Sequence, residues 1–198
     1  MPGLLPILGN VKVGTLFILS APAGTGKTTL VQLLTHEFHC VIASISFTTR
    51  KARPGEIEGI HYYFISEEDF AARIAAGEFL EYVKLYGHYY GTSRIWVEQQ
   101  LKKGKHIVLV IDTQGARQVR DKIKVVTIFV APPSIEELDK RLRLRKTDND
   151  ESIEQRLMWA KEELRAQNEY DYLIVNDDLS TAYQVLRSIF VAEEHRIL

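Results

Sequence analysis

Cysteine is almost missing from this 198-residue chain, with Cys40 the single one, so no internal disulfide can staple the fold and its stability must come from a buried core. A lone thiol suits a reducing compartment and reads as a small buried hydrophobe rather than a nucleophile. His36 and His39 stand close to it in sequence, but the three make no recognisable metal box. Charge of one sign is lacking too, since 25 Lys plus Arg stand against 26 Asp plus Glu, for a net charge of -1. That balance offers no polyanion-binding surface, so no nucleic-acid partner is expected and any cationic cluster must be local. No apolar run approaches the ~20 residues of a membrane span. The first 14 residues hold Leu4, Leu5, Ile7 and Leu8, but Pro2 and Pro6 interrupt them and no basic leader precedes them, so this tail is not read as a secretory signal. Internal repeats and low-complexity segments are missing as well. The expectation is one soluble, cytoplasmic domain.

What is present begins with Ala21-Pro22-Ala23-Gly24-Thr25-Gly26-Lys27-Thr28-Thr29, which follows the apolar run Leu16–Leu19 and precedes a helical pattern with apolar groups at 30, 33, 34 and 38. Strand, glycine-bearing loop and helix in that order read as a phosphate-binding loop. Small residues let successive backbone N–H groups wrap a phosphate, Lys27 reaches the terminal phosphates, and the Thr28 hydroxyl offers a ligand to Mg²⁺. The positive end of the following helix faces the bound anion. The usual pattern opens with Gly where this loop has Ala21, which requires a negative φ at that position.

The rest of the chain alternates strands and helices. Val41 to Ser46, Tyr62 to Ile65, Phe79 to Leu85, Tyr89–Tyr90, Ile107 to Ile111, Val125 to Val130 and Tyr172 to Val175 read as strands. The stretch from Thr48 to Gly59 reads as irregular. Ser66, followed by Glu67, Glu68 and Asp69, caps a helix with Phe70 and Ile74 inward. Ser134 and Glu137 form a capping box ahead of a stripe of Ile135, Leu138 and Leu142. A helix over about 152–168 and a last one marked by Tyr183, Leu186 and Phe190 complete the pattern. Such alternation predicts an α/β fold with a parallel sheet sandwiched by helices.

A second constellation concerns the substrate. Ser44 to Glu56 concentrates hydroxyls with Arg50 and Arg53 in a segment too irregular to need them for packing, and guanidinium forks suit a phosphate. Tyr62, Glu81, Tyr90 and Thr92 follow in an aromatic-rich region. Taken with the phosphate loop, the Ser-x-Ser-x-Thr-Thr-Arg-x-x-Arg-Pro-Gly-Glu run, Phe79-Leu80-Glu81, Tyr90-Gly91-Thr92, the Ile-Asp-x-Gln-Gly at 111–115 and the Ile-Val-Asn-Asp-Asp at 174–178 resemble the guanylate kinase family. The match runs from about Leu16 to the C-terminus, with the motifs in the family's order.

The resemblance implies phosphoryl transfer from MgATP to GMP on a P-loop NTPase-type core of about 15–46, 92–140 and 158–198. To that core it adds an inserted GMP-binding subdomain of about 47–91 and a mobile lid of about 141–157. Arg50, Arg53, Tyr62 and Tyr90 would hold the GMP phosphate, while Ser46, Glu81 and Thr92 would read guanine. Chemistry supports the last assignment independently, because guanine offers adjacent N1–H and amino donors to a carboxylate and its O6 accepts from a hydroxyl. Asp112 would help order the GMP site, and Arg141 and Asn176 would lie near ATP. Arg145 and Arg156 would reach the migrating phosphoryl, joining Lys27 and Arg53 as the catalytic cations. Arg141 and Arg145, one helical turn apart, are expected on one face.

Two departures from the family pattern stand out. Val110 occupies a position where many relatives carry a carboxylate, and Lys146 follows Arg145 where Gly is usual. Two rival readings are an interaction module of the same fold and another P-loop monophosphate or small-molecule kinase. Intact Lys27 and Thr28 argue against the first; Arg53-Pro54-Gly55-Glu56 and Glu81 argue against the second.

Overall fold

The computed structural model describes residues 6–144 and 150–197. Strand β1 (Leu16–Ser20) is buried along its whole length, as a central parallel strand covered on both faces must be. It pairs in parallel with β7 (His106–Leu109) on one side and β8 (Val126–Ala131) on the other. Strand β2 (Val41–Ala43) flanks β7, and β9 (Tyr172–Val175) flanks β8, giving the order β2-β7-β1-β8-β9.

Alternate residues of β1 point to opposite faces. Phe17 and Leu19 face helices α1 (Lys27–Glu37) and α7 (Leu179–Glu194), where Phe17 stacks on Phe190 with centroids 3.7 Å apart. Leu16 and Ile18 face α3 (Arg94–Lys102) and α4 (Thr113–Arg120). Leu8 of the N-terminal segment joins the first cluster, and the backbone N–H groups of Gly9 and Asn10 donate to Glu194 at 2.7 and 3.0 Å. Helices α5 (Ile135–Leu144) and α6 (Asp150–Arg165) pack on each other through Leu138, Leu142, Ile153 and Ala160.

A second sheet stands apart from the first. It contains β3 (Phe47–Thr48), β4 (Tyr63–Phe64), β5 (Phe79–Leu85) and β6 (His88–Ser93), in the order β4-β3-β6-β5. Its own core is aromatic. Phe70 of α2 (Glu67–Ala75) stacks on Phe79 at 4.5 Å and on Tyr89 at 5.2 Å, and Phe47 stacks on Tyr63 at 4.8 Å. Ser66 caps α2 as read, its Oγ accepting from the Asp69 N–H at 3.0 Å.

Several elements differ from the sequence reading. The strand expected over 41–46 ends at Ala43, and Phe47–Thr48 pairs with Tyr63–Phe64 and with Tyr90–Gly91 where an irregular stretch was expected to begin. The strand expected to reach Ile111 leaves the ladder after Leu109, because the Ser20 hydroxyl takes the Ile111 carbonyl at 2.8 Å. Helices α3 and α4 were not anticipated, although Val97 and Leu101 of α3 and Ala116 and Val119 of α4 are buried at helical spacing. Leu33 is 39 % exposed and Val31 buried, so the inner stripe of α1 is Leu30, Val31 and Leu34. Ile74 and Ile135 are only half-buried. At Ser134 the Oγ accepts from the Glu137 N–H at 3.1 Å, but the Glu137 carboxylate turns to Arg141, so the box is one-sided.

Candidate active site

The phosphate loop gets its shape from backbone conformation. Gly24 and Gly26 have φ of 93° and 89°, in the left-handed region. Gly26 cannot be replaced cheaply, since a Cβ there would stand 2.7 Å from the Asn176 side-chain nitrogen. Ala21 does not share that conformation, because Tyr86 is the single non-glycine residue with positive φ among those described. The Thr25 hydroxyl donates to the Pro22 carbonyl at 2.8 Å, and Asn176 Nδ2 donates to the Thr25 carbonyl at 2.6 Å. Gly26 begins α1 without a side-chain cap, so the first N–H groups of the helix are left for an anion. Lys27 Nζ folds back on the carbonyls of Ala21 and Pro22. Thr28 and Thr29 are exposed on the first turn.

Beside the loop lies a cavity of about 550 Å³. Ser46, Arg50, Arg53, Tyr62, Glu81 and Tyr90 line it from the second sheet and its connections, Ala23 and Asp112 from the core, and Arg156 from α6. Residues separated by more than a hundred positions thus converge on one space.

The guanidinium end is ordered before any ligand arrives. Glu56 accepts from Arg50 Nη2 at 2.8 Å with one oxygen and from the Arg53 N–H at 2.8 Å with the other. Arg50 also lies over the Tyr62 ring, 5.4 Å from its centroid, and Tyr62 meets Tyr90 edge-on at 5.9 Å. The hydrogen bond to Glu56 raises the Arg50 pKa further, and the same contact lowers that of Glu56. Arg50 is therefore a fixed cation, and Arg53 is exposed beside it.

The same cavity is lined by a buried carboxylate. Glu81 is 2 % exposed and accepts from the Thr92 hydroxyl at 2.6 Å. Burial pushes its pKa up to about 7 despite that bond, and the neighbouring Asp112 pushes the same way. Gly115 makes the room, because a Cβ on it would come 2.8 Å from Glu81 Oε2. Asp112 caps α4, accepting from the Gly115 N–H at 2.9 Å; burial raises its pKa and Lys27 opposes the rise.

Arg141 donates to the Asn176 carbonyl at 2.8 Å and to Glu137 at 3.1 Å, tying α5 to the segment after β9 beside the loop. Arg145 and Lys146 lie outside the described residues, as does part of the expected lid. Glu56, Gly115 and Glu163 are participants that residue reading passed over. Burial raises the Glu163 pKa, and Lys27 and Asp112 stand near enough to shift it in opposite directions. The Glu-Glu pair at 162–163 in a helix gives no signal of this. Glu56 could have been found, lying three residues after Arg53.

A glycine-bent loop feeding a parallel strand into a helix start, beside a cavity lined by arginines and a buried carboxylate, defines a P-loop NTPase-type fold built for phosphorylated ligands. The family model described as guanylate kinase matches residues 13–193. The chain is 61 % identical over 189 residues to the guanylate kinase of Protochlamydia amoebophila, covering 96 % of each. It is 51 % identical to that of Chlamydia trachomatis serovar D, covering 92 % of this chain and 89 % of the relative. The crystal structure of guanylate kinase from Anaplasma phagocytophilum superposes with a TM-score of 0.76 at 34 % identity, covering 96 % of this chain and 90 % of the other. The chain belongs to the guanylate kinase family.

Proposed function

We propose that this chain transfers the γ-phosphoryl group of MgATP to GMP, giving ADP and GDP. The observation that carries the substrate assignment is Glu81, a carboxylate buried to 2 % exposure with a hydroxyl partner, in a cavity that Arg50 and Arg53 also line. Guanine's N1–H and amino group form a donor pair that an ionised Glu81, held by the Thr92 hydroxyl, can accept, and Ser46, which lines the same cavity, has a hydroxyl to offer O6. Adenine has no such pair. A carboxylate and a guanidinium cluster in one cavity suit a molecule that carries both a donor-bearing base and a phosphate. Arg50, Arg53, Tyr62 and Tyr90 hold that phosphate, with Glu56 keeping the two arginines together.

On the donor side, residues 21–29 wrap the ATP phosphates and Lys27 neutralises their charge, while Arg141 and Asn176 flank the adenine. Among the described residues no group of three or more His, Cys, Asp or Glu could hold a metal ion, and Val110 brings no oxygen to the cavity it lines. The donor set therefore fits a Mg²⁺ carried by the nucleotide, held by Thr28 and phosphate oxygens with water completing its shell. When bound, that ion would supply positive charge to the phosphates. The acceptor needs no general base, since a phosphate monoester with a second pKa of about 6 is already ionised. Positioning and positive charge remain for the protein to supply. Arg156, with Arg145 from outside the described residues, stabilises the charge that develops on the migrating group.

We place the GMP-binding subdomain at about 47–91 and the lid at about 141–157, and the chain in the cytoplasm. The free Cys40 and near-neutral charge support that location, and among the described residues no helix is long and apolar enough to cross a membrane. No nucleic-acid partner is proposed. The test is one coupled assay of ATP consumption with GMP, AMP, UMP and dTMP side by side. Turnover with GMP far above the others is expected; comparable turnover with AMP contradicts the assignment.

A further inference from the structure

The hairpin between β5 and β6 turns through two residues, Tyr86 and Gly87, with Leu85 paired to His88 across it. Both have positive φ, 51° and 82°, as a two-residue turn of the primed type requires, and Asn-Gly is the pair that meets this requirement most easily. Tyrosine meets it badly. A residue with a Cβ is disfavoured in the left-handed region by roughly 5- to 30-fold, and Tyr86 is the single described non-glycine residue found there. Local burial does not account for the choice, because Tyr86 is 60 % exposed.

The ring has a partner across the cleft. Tyr86 meets Trp159 of α6 edge to face, with centroids 6.0 Å apart and planes at 71°. Trp159 lies three residues after Arg156, so the two are neighbours on one helix face. Tyr86 and Arg156 line the same cavity, and Tyr86 and Trp159 together line the adjoining one of about 350 Å³. The hairpin tip of the second sheet therefore touches the helix face that carries a cavity cation. Arg156 and Glu163 are near enough to Tyr86 to act on its hydroxyl.

We propose that Tyr86 is a positioning residue whose contact with Trp159 latches the second sheet to α6 and so sets Arg156 over the acceptor phosphate. The strained turn is kept because only an aromatic ring at this tip spans the cleft. This rests on the reading that the second sheet receives GMP and that Arg156 acts on the migrating phosphoryl. An aromatic pair of this geometry is worth a factor of about 2 to 10 in an equilibrium, which bounds the effect.

The chain has two tryptophans, so Trp96→Phe leaves Trp159 as the sole indole reporter in the full-length enzyme. In that background GMP is expected to shift Trp159 emission, and Tyr86→Asn is expected to abolish the shift. Tyr86→Asn should also slow single-turnover phosphoryl transfer about 2- to 10-fold, with a melting temperature equal to or above the parent's, because Asn-Gly relieves the turn. Tyr86→Phe should retain both properties, and Tyr86→Asn combined with Trp159→Leu should be no slower than either alone. A Tyr86→Asn enzyme with parental single-turnover rate and emission response overturns the latch. So does a Tyr86→Asn enzyme that merely melts lower while Tyr86→Phe is equally impaired. Glu81→Gln keeps the two readings distinguishable: if it alters acceptor choice while Tyr86→Asn is silent, the latch fails and the GMP site stands; if it leaves acceptor choice intact, the site reading itself fails.

Discussion

The phosphate loop and the second sheet face one cleft, yet the loop offers it mostly backbone and the sheet offers it mostly side chains. Residues 21–29 are contiguous, and their geometry depends on left-handed glycines and on Asn176 holding the Thr25 carbonyl. Ser46, Arg50, Tyr62, Glu81 and Tyr90 are scattered, and they are oriented by an aromatic core, by Glu56 and by the gap at Gly115. Backbone N–H groups suit any phosphate chain and cannot tell one base from another. A buried carboxylate beside a hydroxyl discriminates, because a base without matching donors leaves it desolvated and unpaired. On the proposed reading the loop, joined by Arg156 of α6, serves the transfer, and the buried carboxylate of the sheet chooses the acceptor.

Breaking the first wall should cost the most. Lys27→Ala is expected to lower kcat by about 10³-fold or more, and equally for every acceptor, since the charge it neutralises belongs to the donor. Arg156→Ala should lower kcat by roughly 10²- to 10³-fold with a much smaller rise in KM, as for a contact that strengthens in the transition state. Steady-state kinetics with unchanged thermal melting checks both, and near-parental turnover in Lys27→Ala contradicts the division.

Gly115→Ala disturbs Glu81 first and Asp112 second, since its Cβ would also stand 3.3 Å from Asp112 Oδ1. Its Cβ would stand 2.8 Å from Glu81 Oε2, so the carboxylate must move, and the KM for GMP should rise about 10-fold while that for ATP holds. Equal rises in both would show that α4 supports the whole cleft rather than the acceptor end.

These contrasts explain what could be read from residues alone. A loop whose chemistry is contiguous shows itself as Gly24-x-Gly26-Lys27-Thr28 between a strand and a helix. In the second wall the arginines of 44–56 suggested a phosphate by their chemistry, but Glu81 was singled out through the family pattern, for nothing in Phe79-Leu80-Glu81 announces that Glu81 is buried. Helices α3 and α4 escaped because they start directly from a strand end or from Asp112. The strand over 107–109 was read two residues too long, since apolar Val110 and Ile111 continue the run after the ladder has ended. Tyr86 meeting Trp159 has no local signature at all.

A smaller effect follows from pH. The ordinary glutamate value is 4.5, and burial raises that of Glu81 to about 7, so the empty enzyme holds a proton there below neutrality. Between those values the folded chain binds more protons than the unfolded one, and this group's contribution to stability falls as pH rises. A ligand that needs the carboxylate must expel the proton, so GMP affinity should weaken several-fold as pH drops from about 8 to about 6. Calorimetric titration across that range checks it, with Glu81→Gln expected to keep only the dependence that the GMP phosphate itself imposes.

The most direct test of the division between walls is the ratio of kcat/KM for GMP to that for AMP, measured in the parent, in Lys27→Ala and in Glu81→Gln. Glu81→Gln retains the shape but exchanges an acceptor for a donor, so its ratio should fall by about 10²-fold or more from a parental preference of as much as ~10⁴ to 10⁵. In Lys27→Ala both rates should fall together and the ratio should hold. An unchanged ratio in Glu81→Gln would mean that the base is read elsewhere.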